Sequence, residues 1–253
     1  MTYRITKKIN TVLITFFIST LLSFYALAAD NADTAKSMGI MGPEFDGIAR
    51  GVNAPIYDYY AGLFKDKSGI TEGVCVDVGA GGGYLGLSIA AITDLEIIFL
   101  DIDSGSLETA KKHIIEDGLE KRAKILLADV HDIPLPDNSV DLVVSRGSLW
   151  FWDDPGKAVK EIYRILAPGG KAYIGGGKGS PETQHEIEKR KEKMAKMSPQ
   201  KNKQEKNSAP FGIGERMQKK INYRKVVEKT GIKNFDVIKN EGDFYGMWIY
   251  LWK

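Results

Sequence analysis

Asp77-Val78-Gly79-Ala80-Gly81-Gly82-Gly83-Tyr84 follows directly on the apolar run Val74–Val78. Glycines between a buried strand and a helix let the backbone turn tightly and let a ligand approach with no Cβ in the way. The spacing is Gly79-x-Gly81-x-Gly83, and Tyr84 stands where a dinucleotide fingerprint needs its third glycine, so a ligand without a pyrophosphate fits better. Asp101 ends the next apolar run, Glu96–Leu100, and would face the same crevice beyond the strand ends. Its two carboxylate oxygens can chelate the two hydroxyls of a ribose. Asp103 has a plainer explanation as the N-cap of a following helix. After a third strand comes Ala128-Asp129-Val130, where a carboxylate and a backbone N–H could read the amino group and ring nitrogen of an adenine. The proton acceptors that can be named are His131, Asp132 and His185, and His131 also reads simply as a loop residue.

The elements that must hold these residues alternate. Short apolar runs at Val74–Val78, Glu96–Leu100, Lys124–Leu127, Val140–Val144 and Lys171–Ile174 read as buried strands. Between them Tyr84–Ile92 and the stripe Leu107, Ala110, Lys111, Ile114 read as helices. Asp154-Pro155 supplies an N-cap and a first-turn proline for a further helix, striped by Ala158, Ile162, Ile165 and Leu166 until Pro168-Gly169-Gly170 stops it. This order predicts an α/β fold, a Rossmann-like, doubly wound and mostly parallel sheet. Residues 213–230 read as another helix. Phe235–Ile238 and Phe244–Trp252, joined through Glu241-Gly242-Asp243, predict an antiparallel C-terminal hairpin. After the fifth strand, residues 185–206 carry interspersed charges of both signs and read as a solvated helix and loop, a polar insertion at about 181–212.

Arg4, Lys7 and Lys8 contribute +3 to the net charge of +2, so the body of the chain carries −1, is near neutral, and no nucleic-acid partner is expected. The single cysteine, Cys75, excludes an intrachain disulfide and a thiolate metal cluster, and no metal site is expected. No charge occurs from Ile9 through Ala29, and Ala26-Leu27-Ala28 is a small-x-small cleavage pattern. Residues 1–28 are therefore predicted to be a signal peptide or an uncleaved membrane anchor, with the body exported to the periplasm. A start at Met38 or Met41 would instead leave a cytoplasmic protein. Residues 29–69 are predicted to be a linker and leading helix, and residues 70–253 the catalytic domain.

Taken together, Val-x-Val-Asp77-Val-Gly-Ala-Gly-Gly-Gly, Phe-Leu-Asp101-Ile-Asp, Ala-Asp129-Val-His-Asp-Ile-Pro134-Leu-Pro136 with Asp141-Leu-Val, and Glu161-Ile-Tyr-Arg-Ile-Leu-Ala-Pro168-Gly169-Gly170 resemble the class I S-adenosylmethionine-dependent methyltransferases, in particular the small-molecule domains of the type 11 group. Ser145-Arg146-Gly147-Ser148 with the aromatics after it, and Ile174-Gly175-Gly176-Gly177, resemble a bacterial and archaeal subgroup. The resemblance implies S-adenosylmethionine as cofactor and in-line methyl transfer to a small-molecule acceptor. Asp77 and Ile102 would belong to the cofactor site, Gly79, Gly81 and Gly83 would line its methionyl part, and Asp101 would bind its ribose. Asp129 and Val130 would hold the adenine, with Ser145 and Arg146 the floor under the sulfonium. Tyr57, Trp150, Phe151, Gly175 and Gly176 would form the substrate pocket. Where many relatives carry histidines after the fourth strand this chain has Trp150-Phe151-Trp152, which suits an apolar or cationic acceptor and puts a histidine base there in question. Two other classes remain open: an NAD(P)-dependent oxidoreductase, for which no Tyr-x-x-x-Lys relay is evident, and a non-catalytic binding protein on the cofactor fold.

Overall fold

Strands that are apolar on both sides can be stable only with helices covering both faces of their sheet. The computed structural model describes residues 43–197 and 221–253 and has this arrangement. Helices α1 (Pro43–Arg50) and α2 (Ala54–Ser68) precede β1 (Val74–Val78), α3 (Tyr84–Ile92), β2 (Glu96–Asp101), α4 (Ser104–Glu116) and β3 (Ala123–Leu127). There follow β4 (Val140–Arg146), a 3-10 turn over Leu149–Phe151, α5 (Pro155–Ile165) and β5 (Leu166–Gly176). Helices α6 (Pro181–Met197) and α7 (Tyr223–Thr230) and strands β6 (Phe235–Glu241) and β7 (Phe244–Trp252) complete the described elements. No described helix is long and apolar enough to cross a membrane. The leader expected over residues 1–28 lies outside the described residues.

The sheet order is β3-β2-β1-β4-β5-β7-β6. The first five strands are parallel, and β7 runs antiparallel between β5 and β6. Successive side chains of each strand enter different cores. Cys75, Ile97, Phe99, Leu142, Val144, Tyr173 and Trp248 pack with α1 to α4, while Val76, Val78, Ile98, Leu100, Val143, Ile174 and Ile249 pack with α5 and α7. The chain reverses its direction of travel across the sheet between β1 and β4, which opens a crevice at their carboxyl ends.

The caps follow from local chemistry. Asp103 accepts from Ser106 N at 2.8 Å at the start of α4, and Asp154 from Lys157 N at 2.9 Å at the start of α5. Three boundaries differ from the sequence expectation. Strand β5 begins at Leu166, running through Pro168-Gly169-Gly170 rather than starting at Lys171, because the pairing with β4 shifts register between Val140 and Leu142 and absorbs the irregular residues. Helix α7 begins at Tyr223, where Asn222 accepts from Lys225 N; the earlier part of the expected helix lies outside the described residues. The stretch expected as linker contains α1, which Ala49 anchors in the core.

Candidate functional site

The glycine loop is fastened to the end of β2. Gly79 and Ala80 donate to the carbonyl of Leu100 at 2.8 and 3.0 Å, and Gly81 N donates to Asp101 Oδ2 at 2.8 Å. Gly79, Gly81 and Gly83 have φ of 67°, 56° and 84°, the left-handed region that L side chains rarely adopt. A Cβ on Gly79 would also run into the Ser148 side chain. The loop is thus a concave strip of bare backbone beside a carboxylate. Asp101, which also accepts from Asp103 N through Oδ1 at 3.0 Å, is buried, yet each oxygen keeps acceptor capacity for a second donor. Ile102 beside it is 43% exposed, an apolar side chain lying open at the crevice.

Asp77 lies beneath the loop, 2% exposed, and its Oδ2 accepts from Gly86 N at 2.9 Å in the first turn of α3. Burial raises its pKa to about 7, against the help of that hydrogen bond and with a further push from the charge of Asp101. A buried carboxylate with one main-chain donor and no cation beside it among the described residues is suited to a cationic ligand. Bare left-handed backbone, a diol-competent carboxylate and an under-compensated carboxylate together fit an aminoacyl nucleoside bearing positive charge.

Asp129 is exposed and is engaged locally. Its Oδ1 accepts from His131 N at 2.9 Å and lies 2.6 Å from His131 Nδ1. His131 Nε2 in turn accepts from Asp154 N at 3.3 Å, so this histidine ties the β3–β4 loop to the start of α5. Val130 is buried in the core beneath it. Ser145, fully buried, shares a 2.6 Å hydrogen bond with Ser148, whose hydroxyl donates to the carbonyl of Val78 at 3.1 Å. This short chain joins the ends of β1 and β4 under the loop.

Arg146, the last residue of β4, has its guanidinium 5.1 Å from the Tyr57 ring centre and 5.9 Å from that of Tyr60. It donates to the carbonyl of Gly177 at 2.9 Å, while its buried Nε finds no acceptor among the described residues. Burial pulls its pKa down. Beside it a cavity of about 630 Å³ opens between β4, β5 and the β6–β7 hairpin, lined by Arg146, Trp150, Gly176, Lys178, Lys239 and Tyr245 among others. Trp150 sits against Gly176, where a Cβ would strike the indole. Gly175 instead meets the backbone of Met247 and Trp248, a close approach of β5 and β7. Phe151 lies in the 3-10 turn and does not line the cavity. His185 and Asp132 do not line it either. A second cavity, about 470 Å³, lies between α5 and Gly231–Asn234 and shares no residue with this region.

Sequence reading missed two features. His113, 1% exposed, has Nδ1 2.8 Å from the carbonyl of Gly82 and Nε2 3.2 Å from Asp46, so it braces the glycine loop against α1. The available signal was a histidine on the apolar face of α4, next to Ile114. Lys178 directly follows the Ile174-Gly175-Gly176-Gly177 motif but was not read as part of a site, while Lys239 and Tyr245 come from segments with no motif, and only the tertiary fold brings them to Arg146. Tyr60 closes this arrangement: its hydroxyl donates to the carbonyl of Tyr245 at 2.5 Å and accepts from Gly179 N at 3.2 Å.

Comparison with known proteins follows the same lines. The profile of a family described as a methyltransferase domain matches residues 76–174. The crystal structure of a candidate S-adenosyl-L-methionine-dependent methyltransferase from Methanococcus maripaludis is 37% identical, covers 83% of this chain and 90% of that one, and superposes with a TM-score of 0.66. Among curated proteins, 2-methyl-6-phytyl-1,4-hydroquinone methyltransferase 1 of rice (Oryza sativa subsp. japonica) is 36% identical over 100 residues, 39% of this chain and 29% of the relative. A ubiquinone/menaquinone biosynthesis C-methyltransferase of a Marinomonas species is 28% identical over 111 residues, 43% of this chain and 44% of that protein. The chain thus spans under a third of the rice relative's length and under half of the Marinomonas protein's.

Proposed function

This chain belongs to the class I S-adenosylmethionine-dependent methyltransferases, and from that premise we propose that it moves a methyl group from this cofactor to a small-molecule acceptor held in the cavity at the ends of β4 and β5. The observation that carries the reading is the adjacency of two different sites. The glycine strip with Asp77 and Asp101 lies at β1 and β2, and the cavity opens one strand further along at Arg146. When bound, S-adenosylmethionine supplies a methyl already activated on a sulfonium. Asp101 would hold the ribose hydroxyls, Gly79, Gly81 and Gly83 would leave room for the methionyl part, and Asp77 would offset its positive charge. Ile102 and the Asp129–Val130 segment would flank the adenine, and Ser145 with Arg146 would form the floor between the two sites. Trp150 would wall the acceptor and exclude water, while Tyr57, expected in the pocket, does not line the cavity and would instead support Arg146 with its ring. For an activated methyl the protein contributes chiefly alignment, worth up to ~7–11 kcal/mol where geometry is ideal.

The names of the rice and Marinomonas relatives, both methyltransferases of small molecules, support an acceptor of that size. Native mass spectrometry of the full-length protein with S-adenosylmethionine and with NADH tests the reading. Retention of one S-adenosylmethionine per chain and no NADH is expected; retention of NADH alone would return the oxidoreductase.

For location we propose export, with residues 1–28 acting as a cleaved signal or as an anchor giving membrane association. What supports it is the basic Arg4, Lys7 and Lys8 followed by an uncharged run ending in Ala26-Leu27-Ala28. N-terminal sequencing of the native protein decides: Ala29 or Asp30 indicates cleavage, Met1 an anchor, and Met38 or Met41 a cytoplasmic enzyme.

A further inference from the structure

We propose that the acceptor in the β4–β5 cavity carries an anionic group, a carboxylate or a phosphate, received by Arg146 with Lys178 and Lys239 at the rim. The inference rests on the methyltransferase reading and narrows its substrate class. Arg50, Arg164, Arg190 and Arg224 each hold a carboxylate, and Arg122 donates to the carbonyls of Ala90, Thr93 and Leu95. Arg146 is more deeply placed than the four paired arginines, yet its neighbours are the Tyr57 and Tyr60 side chains, Tyr57 as a hydrogen-bond partner as well as a ring, and the carbonyl of Gly177, and no carboxylate reaches it among the described residues. A guanidinium taken out of water without a counter-charge is destabilising. Its retention, with a buried Nε hydrogen still lacking an acceptor, is explained if the counter-charge arrives with the ligand.

The rest of the cavity agrees. Lys178 and Lys239 also stand without a carboxylate in ion-pair range among the described residues, and the lining contains no aspartate or glutamate. Asp243, nearby on the hairpin, is drawn off by Lys67 at 3.2 Å. The planar fork of an arginine matches the two oxygens of a carboxylate or phosphate. Trp150, Tyr245 and Met247 supply apolar surface for the organic part, and about 630 Å³ is ample for a small molecule. The lining therefore shifts the expectation set by Trp150-Phe151-Trp152 alone, an apolar or cationic acceptor, toward the opposite charge.

The test is calorimetric titration of the full-length protein, first with S-adenosylhomocysteine and then, in its saturating presence, with benzoate, phenyl phosphate and the neutral benzamide. At least one anion should bind about tenfold or more tightly than benzamide, and the better of the two identifies carboxylate or phosphate as the matching group. Arg146→Gln should erase the preference. The double substitution Lys178→Gln with Lys239→Gln, on exposed residues, should reduce it about threefold and serves as the deciding variant should Arg146→Gln fail to fold. Anions binding no better than benzamide, or a preference unchanged in the deciding variant, would overturn the inference. Failure of S-adenosylhomocysteine to bind would overturn the functional reading instead, so the two failures are distinguishable.

Discussion

The crevice at β1 and β2 and the cavity at β4 and β5 lie along one edge of a single sheet, but they are finished in opposite ways. At the crevice the frame is held by internal hydrogen bonds, with spare capacity left on Asp77 and Asp101: the loop amides bind Leu100 and Asp101, Asp77 accepts from Gly86 N at the start of α3, and His113 braces Gly82. At the cavity Arg146, Lys178 and Lys239 line the same opening, and no aspartate or glutamate among the described residues lines it with them. A cofactor shared by a whole family can be met by a preformed, internally bonded frame. An acceptor is met by whatever the neighbouring loops present, and there the unbalanced charge is the record of what is meant to bind.

The comparison can be broken most sharply at Gly79. Gly79→Ala forces a Cβ into a left-handed residue and against Ser148, so the frame itself is displaced. S-adenosylhomocysteine affinity should fall by about a hundredfold or more, ~3 kcal/mol, in titrations of the folded protein. An affinity within twofold of the parent would show that the crevice does not depend on this backbone.

Asp77 offers the next largest effect, through pH. Its folded pKa of about 7 lies well above the ordinary aspartate value, so between about pH 4 and 7 the folded protein holds a proton that the unfolded chain releases. This term therefore stabilises the ligand-free protein fully below pH 4 and is lost as pH rises through 7, amounting to roughly 2–4 kcal/mol. Urea unfolding at pH 5 and pH 8 should show that loss in the parent and a smaller one in Asp77→Asn. Equal slopes in both would place the buried proton elsewhere.

Cys75 sharpens the contrast from the other side, as a buried group that belongs to neither site. It is fully buried in β1, and burial pushes its thiol pKa well up, so no thiolate chemistry is available to it. Cys75→Ala should cost about 1 kcal/mol of stability and leave cofactor affinity and turnover unchanged. Lost turnover in a folded, cofactor-binding variant would reveal a thiol step.

What the sequence disclosed maps onto the same division. The crevice was legible because its parts are local: a glycine run after a strand, a carboxylate at a strand end, an N-cap such as Asp103. Strand β5 was read short because proline and glycines signal a stop, and only its partner β4 shows that a register shift carries them. The Glu161-x-x-Arg164 part of the family resemblance proves to be a clamp: Arg164 binds Glu161, Asp137 and the carbonyls of Ile133 and Leu135, fixing the β3–β4 loop on α5. The cavity was only half legible. Trp150 and Arg146 were on view in one motif and Lys178 follows the end of β5 beside them, but Lys239 and Tyr245 reach them through β7, which inserts between β5 and β6, a pairing no local signal specifies.

On the proposed reading, Asp101 and the glycine strip bind the cofactor independently of the charged cavity. The most direct measurement is calorimetric titration of S-adenosylhomocysteine into the parent, Asp101→Ala and the double Lys178→Gln, Lys239→Gln variant. Loss of the charged acceptor from a buried diol site should weaken binding to Asp101→Ala by roughly 1.5–3 kcal/mol, while the lysine variant stays within twofold of the parent. Unchanged affinity in Asp101→Ala, in a protein that remains folded, would contradict the account.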